Sequence, residues 1–290
     1  MASAQWGVLS AATEAAVTGS AASRPAALEI VVPARNEARR LPDGLAALCH
    51  KAATLPLPTA IIVVDSASTD GTSDVVRRLP RLPVPVRLLR CERPGKGIAV
   101  RAGLLATRAP FAGFCDADMA TELSALDVAI SLLATGHSMV IGSRALDDSV
   151  VEARSSAARR LGAATFRAMA RQIVPDATDT QCGFKFFSGP LVRAAAEPLQ
   201  TAGFAFDVEL IARCQRLGAT LTEIPVRWRD VAGSTFSVQR HSAAVFRDVA
   251  AIWLRSRAEP AREQGREGLV REPAAVAAQQ QPLPAGASTT

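Results

Sequence analysis

The chain of 290 residues is long enough for one α/β domain or two small ones, and at 49% apolar and 21% charged residues it is globular rather than disordered or fibrous. Its 33 Lys and Arg against 27 Asp and Glu leave a formal charge of +6, which suits anionic lipid or a phosphorylated substrate; the lack of Tyr, the few aromatics and the absence of a dense basic helical stripe count against nucleic acid. No apolar run reaches the ~18 residues that suggest a membrane span, and five scattered cysteines (Cys49, Cys91, Cys115, Cys182, Cys214), none in Cys-X-X-Cys spacing, read as buried reduced thiols of a cytosolic protein.

Residues 1–26 are rich in Ala, Ser and Thr, with no basic n-region, and are expected to be a disordered leader rather than a signal peptide. Short apolar runs then alternate with helical patterns. Strands are predicted at 28–32, 60–65, 86–90, 111–115 and 139–142, and helices at 37–51, 72–79, 97–107 and about 122–134. Beyond 143 come one long basic helical stretch over 150–173, a turn at Val174-Pro175-Asp176, and a loop running into a short strand over 179–187. A helix over 204–217, a strand over 220–226 and a final helix over 238–257 complete the pattern. Residues 258–290 are Ala-, Gln- and Pro-rich and aperiodic, a disordered tail, which leaves one domain over 27–257. Continuous apolar strands between helices predict an α/β fold: a mostly parallel, Rossmann-like central sheet with helices on both faces. Ligands on such sheets bind beyond the strands' carboxyl ends, where this chain puts Arg35-Asn36-Glu37, Asp65-Ser66 and Asp116/Asp118.

The sharpest chemical signal is Phe114-Cys115-Asp116-Ala117-Asp118, an apolar run ending in two carboxylates at i and i+2. In an extended backbone that spacing turns both side chains to one face. Two hard oxygen donors there suit Mg2+ or Mn2+ bridging to phosphates; the alternative is an N-cap and first-turn acid of a helix. Arg93-Pro94-Gly95-Lys96-Gly97 sets a lysine between glycines at a helix start, either a phosphate grip or a plain turn, and it lacks the P-loop spacing of an ATPase. Asp207 and Glu209 open a helix, where the dipole favours both, and are the first and second candidates for a general base. His50, His137 and His241 stand apart from one another, and no Gly-X-Ser-X-Gly elbow supports a serine hydrolase.

Taken in order, these pieces resemble a family 2 glycosyltransferase of the GT-A fold, and within that family the dolichyl-phosphate glucosyltransferases and polyprenyl-phosphate mannose synthases. The resemblance covers about 28–257 and rests on Asp116-Ala-Asp118-Met-Ala-Thr121, Ile141-Gly-Ser-Arg144, Asp179-Thr-Gln-Cys-Gly-Phe-Lys185, Phe206-Asp-Val-Glu-Leu210 and Glu223-Ile-Pro-Val-Arg-Trp228. It implies inverting, metal-dependent transfer of a hexose from a nucleotide-sugar of UDP-glucose or GDP-mannose type to a polyprenyl or dolichyl phosphate. Pro33, Arg35, Asn36, Glu37 and Asp65 would then surround the nucleoside, with Lys96 near the donor. Asp116 and Asp118 would hold Mg2+ or Mn2+ and the diphosphate, Gln181 and Lys185 would line the sugar–diphosphate region, and Arg144 with Arg154 or Arg159 would face the acceptor phosphate. Asp118, Lys185 and, for a hydroxyl acceptor, Asp207 make up the implied catalytic set.

Two positions depart from the family pattern. Asp65-Ser66 stands where relatives usually carry Asp-Asp, and Thr235 stands where they carry Lys, with Arg240 as the substitute cation. Together with the expectation of no membrane anchor, these keep a soluble hydroxyl acceptor open as a second reading. A nucleotidyltransferase and a non-catalytic binding module are further alternatives; the 179–185 motif argues against the first, and the presence of Lys96, Asp116, Asp118 and Gln181 against the second. The expected location is cytoplasmic. The final helix, with Phe246, Val249, Ala250, Trp253 and Leu254 near one face and flanking arginines, either lies on an anionic membrane surface or packs on the domain.

Overall fold

Alternating side chains of the first long apolar run enter different cores: Leu28, Ile30 and Val32 join one, Val31 the other. A strand buried on both faces has no solvent side to keep polar, which is why its sequence reads as continuously apolar. The computed structural model describes residues 15–18, 25–152, 157–230 and 238–258, with the side chains of 15–18, 157–161 and 238–243 left aside. Its strands are β1 (Ala15–Thr18), β2 (Leu28–Ala34), β3 (Thr59–Ser66), β4 (Val86–Cys91), β5 (Phe111–Cys115), β6 (Met139–Ser143), β7 (Val150–Glu152), β8 (Phe184–Ser188), β9 (Leu221–Pro225) and β10 (Arg227–Arg229). Its helices are α1 (Leu41–Ala53), α2 (Thr72–Arg77), α3 (Lys96–Ala106), α4 (Ala125–Ala134), α5 (Ala157–Ala170), α6 (Gly189–Ala196), α7 (Phe206–Arg216) and α8 (Val238–Ala258).

The main sheet runs β1-β4-β3-β2-β5-β8-β6-β9. Strands β4, β3, β2 and β5 are mutually parallel, as are β6 and β9, while β8 lies antiparallel to both β5 and β6. The six co-directional strands therefore open their carboxyl ends onto one edge, and β8 brings its amino end to the same edge. Helices α1 and α4 pack on one face, around Leu41, Leu45, Leu48, Leu126, Ile130 and Leu133. Helices α3, α6 and α7 pack on the other, around Val100, Leu104, Leu191, Phe206 and Leu210. Each such side chain contributes about 1.5–3 kcal/mol when fully buried. The mostly parallel α/β expectation holds.

Several local boundaries differ, each for a physical reason. Helix α1 starts at Leu41, not at 37, because Pro42 lacks an N–H and is tolerated only in the first turn. Helix α4 starts at Ala125, because Thr121 bridges Trp228 and the Glu122 amide donates to the Arg227 carbonyl at 2.8 Å, which keeps the backbone out of the helix. The stretch expected to be one helix over 150–173 begins instead as β7, paired in parallel with β10 in a separate two-stranded sheet. Part of the expected leader forms β1, antiparallel to β4 at the sheet edge. Residues 1–14, 19–24 and 259–290, Arg154 and Thr235 lie outside the described residues, as do the side chains of Arg159 and Arg240.

Helix α8 splits its apolar residues. Val245, Val249 and Ile252 are buried against the domain, whereas Phe246 and Trp253 are half-buried and Leu254 is 62% exposed. Among the described residues no helix is long and apolar enough to cross a membrane.

Candidate active site

Asp116 is the first residue beyond β5, at the centre of the carboxyl edge. Its amide donates to the Gly183 carbonyl at 2.9 Å, which ties the loop after β5 to the entry of β8. A Cβ on Gly183 would run into the Asp116 carboxylate, so only glycine lets the acid lie there. Asp118 follows after one residue, its Oδ1 accepting from the Ala120 amide at 3.2 Å, and Met119 takes a left-handed φ of +48° to turn the loop. Burial and then the Asp116 charge push the Asp118 carboxyl above the usual carboxylate range.

Facing Asp116 is Lys96, its Nζ 2.6 Å from Oδ1. Burial alone would lower the ammonium pKa, but Asp116, Asp207 and Asp118 outweigh it and hold the lysine above its ordinary value. The glycine loop carrying Lys96 is clamped from two sides. From β3, the Ser66 hydroxyl accepts from the Gly95 amide at 2.9 Å and lies 3.2 Å from the Arg93 and Gly95 carbonyls. From the loop before α7, the Ala202 carbonyl accepts from the Gly97 amide at 2.9 Å, and a Cβ on Gly97 would meet the Thr201 carbonyl and Phe206. Sequence reasoning missed Ser66 as an anchor and Gly183 as a contact; the signal for Ser66 was its place at the last residue of a buried strand.

The loops after β2 and β3 are laced together. The Asn36 amide donates to Ser68 Oγ at 2.9 Å, and Asn36 Oδ1 accepts from the Thr69 amide at 2.9 Å. The Glu37 amide approaches Thr72 Oγ1 at 2.9 Å, and Asp70 accepts from the Ala38 amide at 3.0 Å. Asn36 and Ala67 both hold left-handed φ values, +55° and +53°, so these loops store backbone strain beside the cleft. Arg35 and Asn36 are exposed and Pro33 half-buried, but Glu37 is buried against Arg40 at 2.6 Å and Asp65 is buried under the Ser68 amide and the Ser73 hydroxyl. Glu37 and Asp65 thus shape the loops from within.

Three expected site residues are already engaged. Lys185, at the centre of β8, has no exposed surface and forms an ion pair with Asp207 Oδ1 at 2.6 Å, while its Nζ also donates to the Cys182 carbonyl at 2.5 Å. Burial raises the Asp207 carboxyl, against the opposing pull of Lys185 and Lys96. Asp207 is therefore a buried counter-ion rather than an open base. Its understudy Glu209 accepts from the Thr201 amide at 2.8 Å and from Arg213 at 2.9 and 3.0 Å. Arg144 spends its Nε–Nη2 fork on Asp179, at 2.7 and 3.0 Å, so the bidentate grip expected for a phosphate is occupied. Burial would raise the Asp179 carboxyl, but Arg144 holds it at about 2. Gln181 is half-buried, its Nε2 3.3 Å from the Phe204 carbonyl.

Among the described residues no cluster of three His, Cys, Asp or Glu is set to hold a metal. The pair Asp116 and Asp118 fits a hard divalent ion that keeps two protein carboxylates and completes its shell with phosphate oxygens and water. All five cysteines are free and buried, as their apolar surroundings predict.

The glycosyl transferase family 2 model matches residues 29–189, spanning β2 to the start of α6 and including Lys96, Asp116, Asp118 and Gly183. The chain belongs to glycosyl transferase family 2. It is 35% identical over 243 residues to a dolichyl-phosphate β-glucosyltransferase of Drosophila melanogaster, covering 79% of this chain and 74% of that protein. A protein of the same name from Dictyostelium discoideum is 32% identical over 242 residues, with the same coverages. In fold, this family 2 chain resembles glucosyl-3-phosphoglycerate synthase of Mycobacterium tuberculosis crystallised with UDP, at a TM-score of 0.59 and 20% identity over 81% of each chain. Another structure of that synthase contains Mn2+, UDP and glucosyl-3-phosphoglycerate, with a TM-score of 0.58 at 20% identity. The GT-A architecture and the assignment as a glycosyltransferase follow from the family match together with the fold.

Proposed function

We propose that this glycosyltransferase moves a hexose, with inversion, from a nucleotide-sugar to a polyprenyl or dolichyl phosphate. The observation that carries the chemistry is Lys96 at 2.6 Å from Asp116, with Asp118 beside it, at the carboxyl edge of the central strand. The relatives named dolichyl-phosphate β-glucosyltransferase supply the acceptor class and favour glucose.

In this reading the interlaced loops at 35–38 and 66–72 receive the nucleoside. Asp116 and Asp118 would hold a divalent ion, which would supply charge neutralisation for the departing diphosphate. An acceptor phosphate oxygen attacks C1 of the hexose from the face opposite the nucleoside diphosphate. The bond from C1 to the β-phosphate oxygen breaks, and its electron pair goes onto that phosphate. Lys96, held charged by its carboxylate neighbours, faces the accumulating negative charge. With a second pKa of ~6 the acceptor phosphate is already anionic near neutral pH and needs positioning more than a base. That requirement agrees with Asp207 being locked to Lys185.

The exposed half of α8, with Phe246, Trp253 and Leu254 beside the exposed Arg247 and Arg257, suits peripheral contact with an anionic membrane surface on the cytoplasmic side. The direct test incubates purified full-length protein with labelled UDP-glucose or GDP-mannose, Mn2+ or Mg2+, and a polyprenyl phosphate. A β-linked lipid phosphohexose is the expected product. Consumption of donor only with water-soluble acceptors would sink the acceptor assignment, and turnover undiminished by chelator would sink the metal.

A further inference from the structure

Few large apolar side chains are exposed among the described residues, and two of them are neighbours, Val150 at 41% and Val151 at 45% on β7. Strand β7 pairs with β10, and β10 is stitched to the loop that carries the two aspartates. The Glu122 amide donates to the Arg227 carbonyl at 2.8 Å, and the Arg229 amide donates to the Ala120 carbonyl at 2.9 Å. In the parallel register Val151 sits opposite Trp228, whereas Val150 sits opposite Arg227 and Glu152 opposite Arg229. Residues in register share a face and successive residues alternate faces. The ribbon is therefore two-sided: Arg227, Arg229, Glu152 and Val150 on one side, Val151 and Trp228 on the other.

The apolar side leads to a cation. The Arg144 guanidinium lies 5.4 Å from the centre of the Trp228 ring. Its Nε and Nη2 are fixed by Asp179, while Nη1 has no protein partner among the described residues. Arg144 also lies within electrostatic range of Asp116. A path thus runs from the Asp116–Asp118 loop to Arg144, then across the Trp228 ring, to the solvent-facing Val151. Cation first and apolar strip second is the order of groups in a lipid phosphate. Valine and a tryptophan ring face offer nothing to the hydroxyls of a polar acceptor.

We propose that Trp228 and Val151 form the subsite for the first isoprene units of a polyprenyl phosphate whose phosphate rests against Arg144 Nη1. This rests on the polyprenyl-phosphate reading above and adds the residues that select the chain. The Asp179 pairing orients Arg144 so that one donor edge points to the acceptor, and Trp228 both packs that guanidinium and begins the apolar track.

The test uses full-length protein, geranylgeranyl phosphate and methyl phosphate as acceptors, and the variants Val151→Ser, Trp228→Ala and, as a remote exposed control on α4, Val128→Ser. Losing apolar contact at these positions should raise KM for geranylgeranyl phosphate ~3- to 10-fold with UDP affinity little changed. Val151→Ser, which leaves the Trp228–Arg144 contact in place, should also keep kcat and KM for methyl phosphate near the wild-type values. Val128→Ser should leave all of these at the wild-type values. Unchanged KM for geranylgeranyl phosphate in both site variants overturns the subsite while leaving the acceptor class standing. An equal loss toward methyl phosphate in Val151→Ser, or a parallel fall in UDP affinity in either variant, also overturns it by assigning the effect to general disruption. If the wild type turns over no prenyl phosphate at all, the acceptor reading falls and the subsite falls with it.

Discussion

Lys185 and Asp207 meet at 2.6 Å with both side chains buried, Lys185 entering from the central antiparallel strand and Asp207 from the first turn of α7. Removing one partner strands a charge in the interior, so Lys185→Met should destabilise by about 3–5 kcal/mol in urea unfolding. The double variant Lys185→Met, Asp207→Leu should recover most of that loss. If the double variant also keeps turnover, proton transfer by Asp207 is excluded; folded but inactive protein would return the Lys185–Asp207 pair to the catalytic set.

Gly183 and Asp116 make a second pair with a sharp expectation. A methyl group at 183 must displace the Asp116 carboxylate. Gly183→Ala should weaken Mn2+ binding, followed by electron paramagnetic resonance in the presence of UDP, by tenfold or more, a loss of about 1.4 kcal/mol. Circular dichroism should remain that of the wild type.

Ser66 tests whether the glycine loop must be held. Ser66→Ala removes the acceptor of the Gly95 amide and the donor to the neighbouring carbonyls. A net hydrogen-bond loss of about 1 kcal/mol predicts a fall of ~5-fold in kcat/KM with donor varied, with a much smaller change when acceptor is varied. Equal losses for both substrates would point away from loop positioning.

Asp179 gives a pH signature. Its folded pKa of about 2 lies below the ordinary carboxylate value of 3.8, so its contribution is fully present above that value and is lost as pH falls toward 2. The shift corresponds to about 2 kcal/mol. Asp179→Asn should be less stable than wild type by roughly that amount at pH 7, and the gap between their urea midpoints should narrow steadily below pH 4. A gap independent of pH would mean that Arg144 does not hold Asp179 ionised.

The sheet and its acidic apex were legible in the sequence because buried strands leave a plain trace, an unbroken apolar run stopping at polar residues. Asp116 and Asp118 could be located from that trace alone. What escaped was set by contacts distant in sequence. Nothing local tells that Lys185 faces inward, since a lysine in a strand is ordinarily exposed; its burial depends on Asp207 arriving from another element. Val150-Val151-Glu152 is too short to show a period of two and continues into a basic helical pattern, so its pairing with β10 was invisible. Ser66 was read as a missing acid, whereas its hydroxyl serves the loop holding Lys96. Arg144 was expected to face an acceptor phosphate, but its Nε–Nη2 fork has a partner, Asp179, that no local pattern in the sequence links to it.

The antiparallel placement of β8 also governs when this enzyme becomes an enzyme. Strands β2 to β5, the interlaced loops after β2 and β3 and the lysine loop all precede β8 in the chain. The Gly183 carbonyl that fixes Asp116 and the Asp179 carboxylate that fixes Arg144 come late in synthesis, and Ala202, which secures Gly97, comes later still. Domains tend to fold from the amino end as they emerge. A nascent chain halted after β6 would carry both aspartates yet lack the Gly183 carbonyl that holds Asp116 and the Ala202 carbonyl that holds Gly97, so the arrangement around Asp116 is complete only once β8 and the loop before α7 have been made.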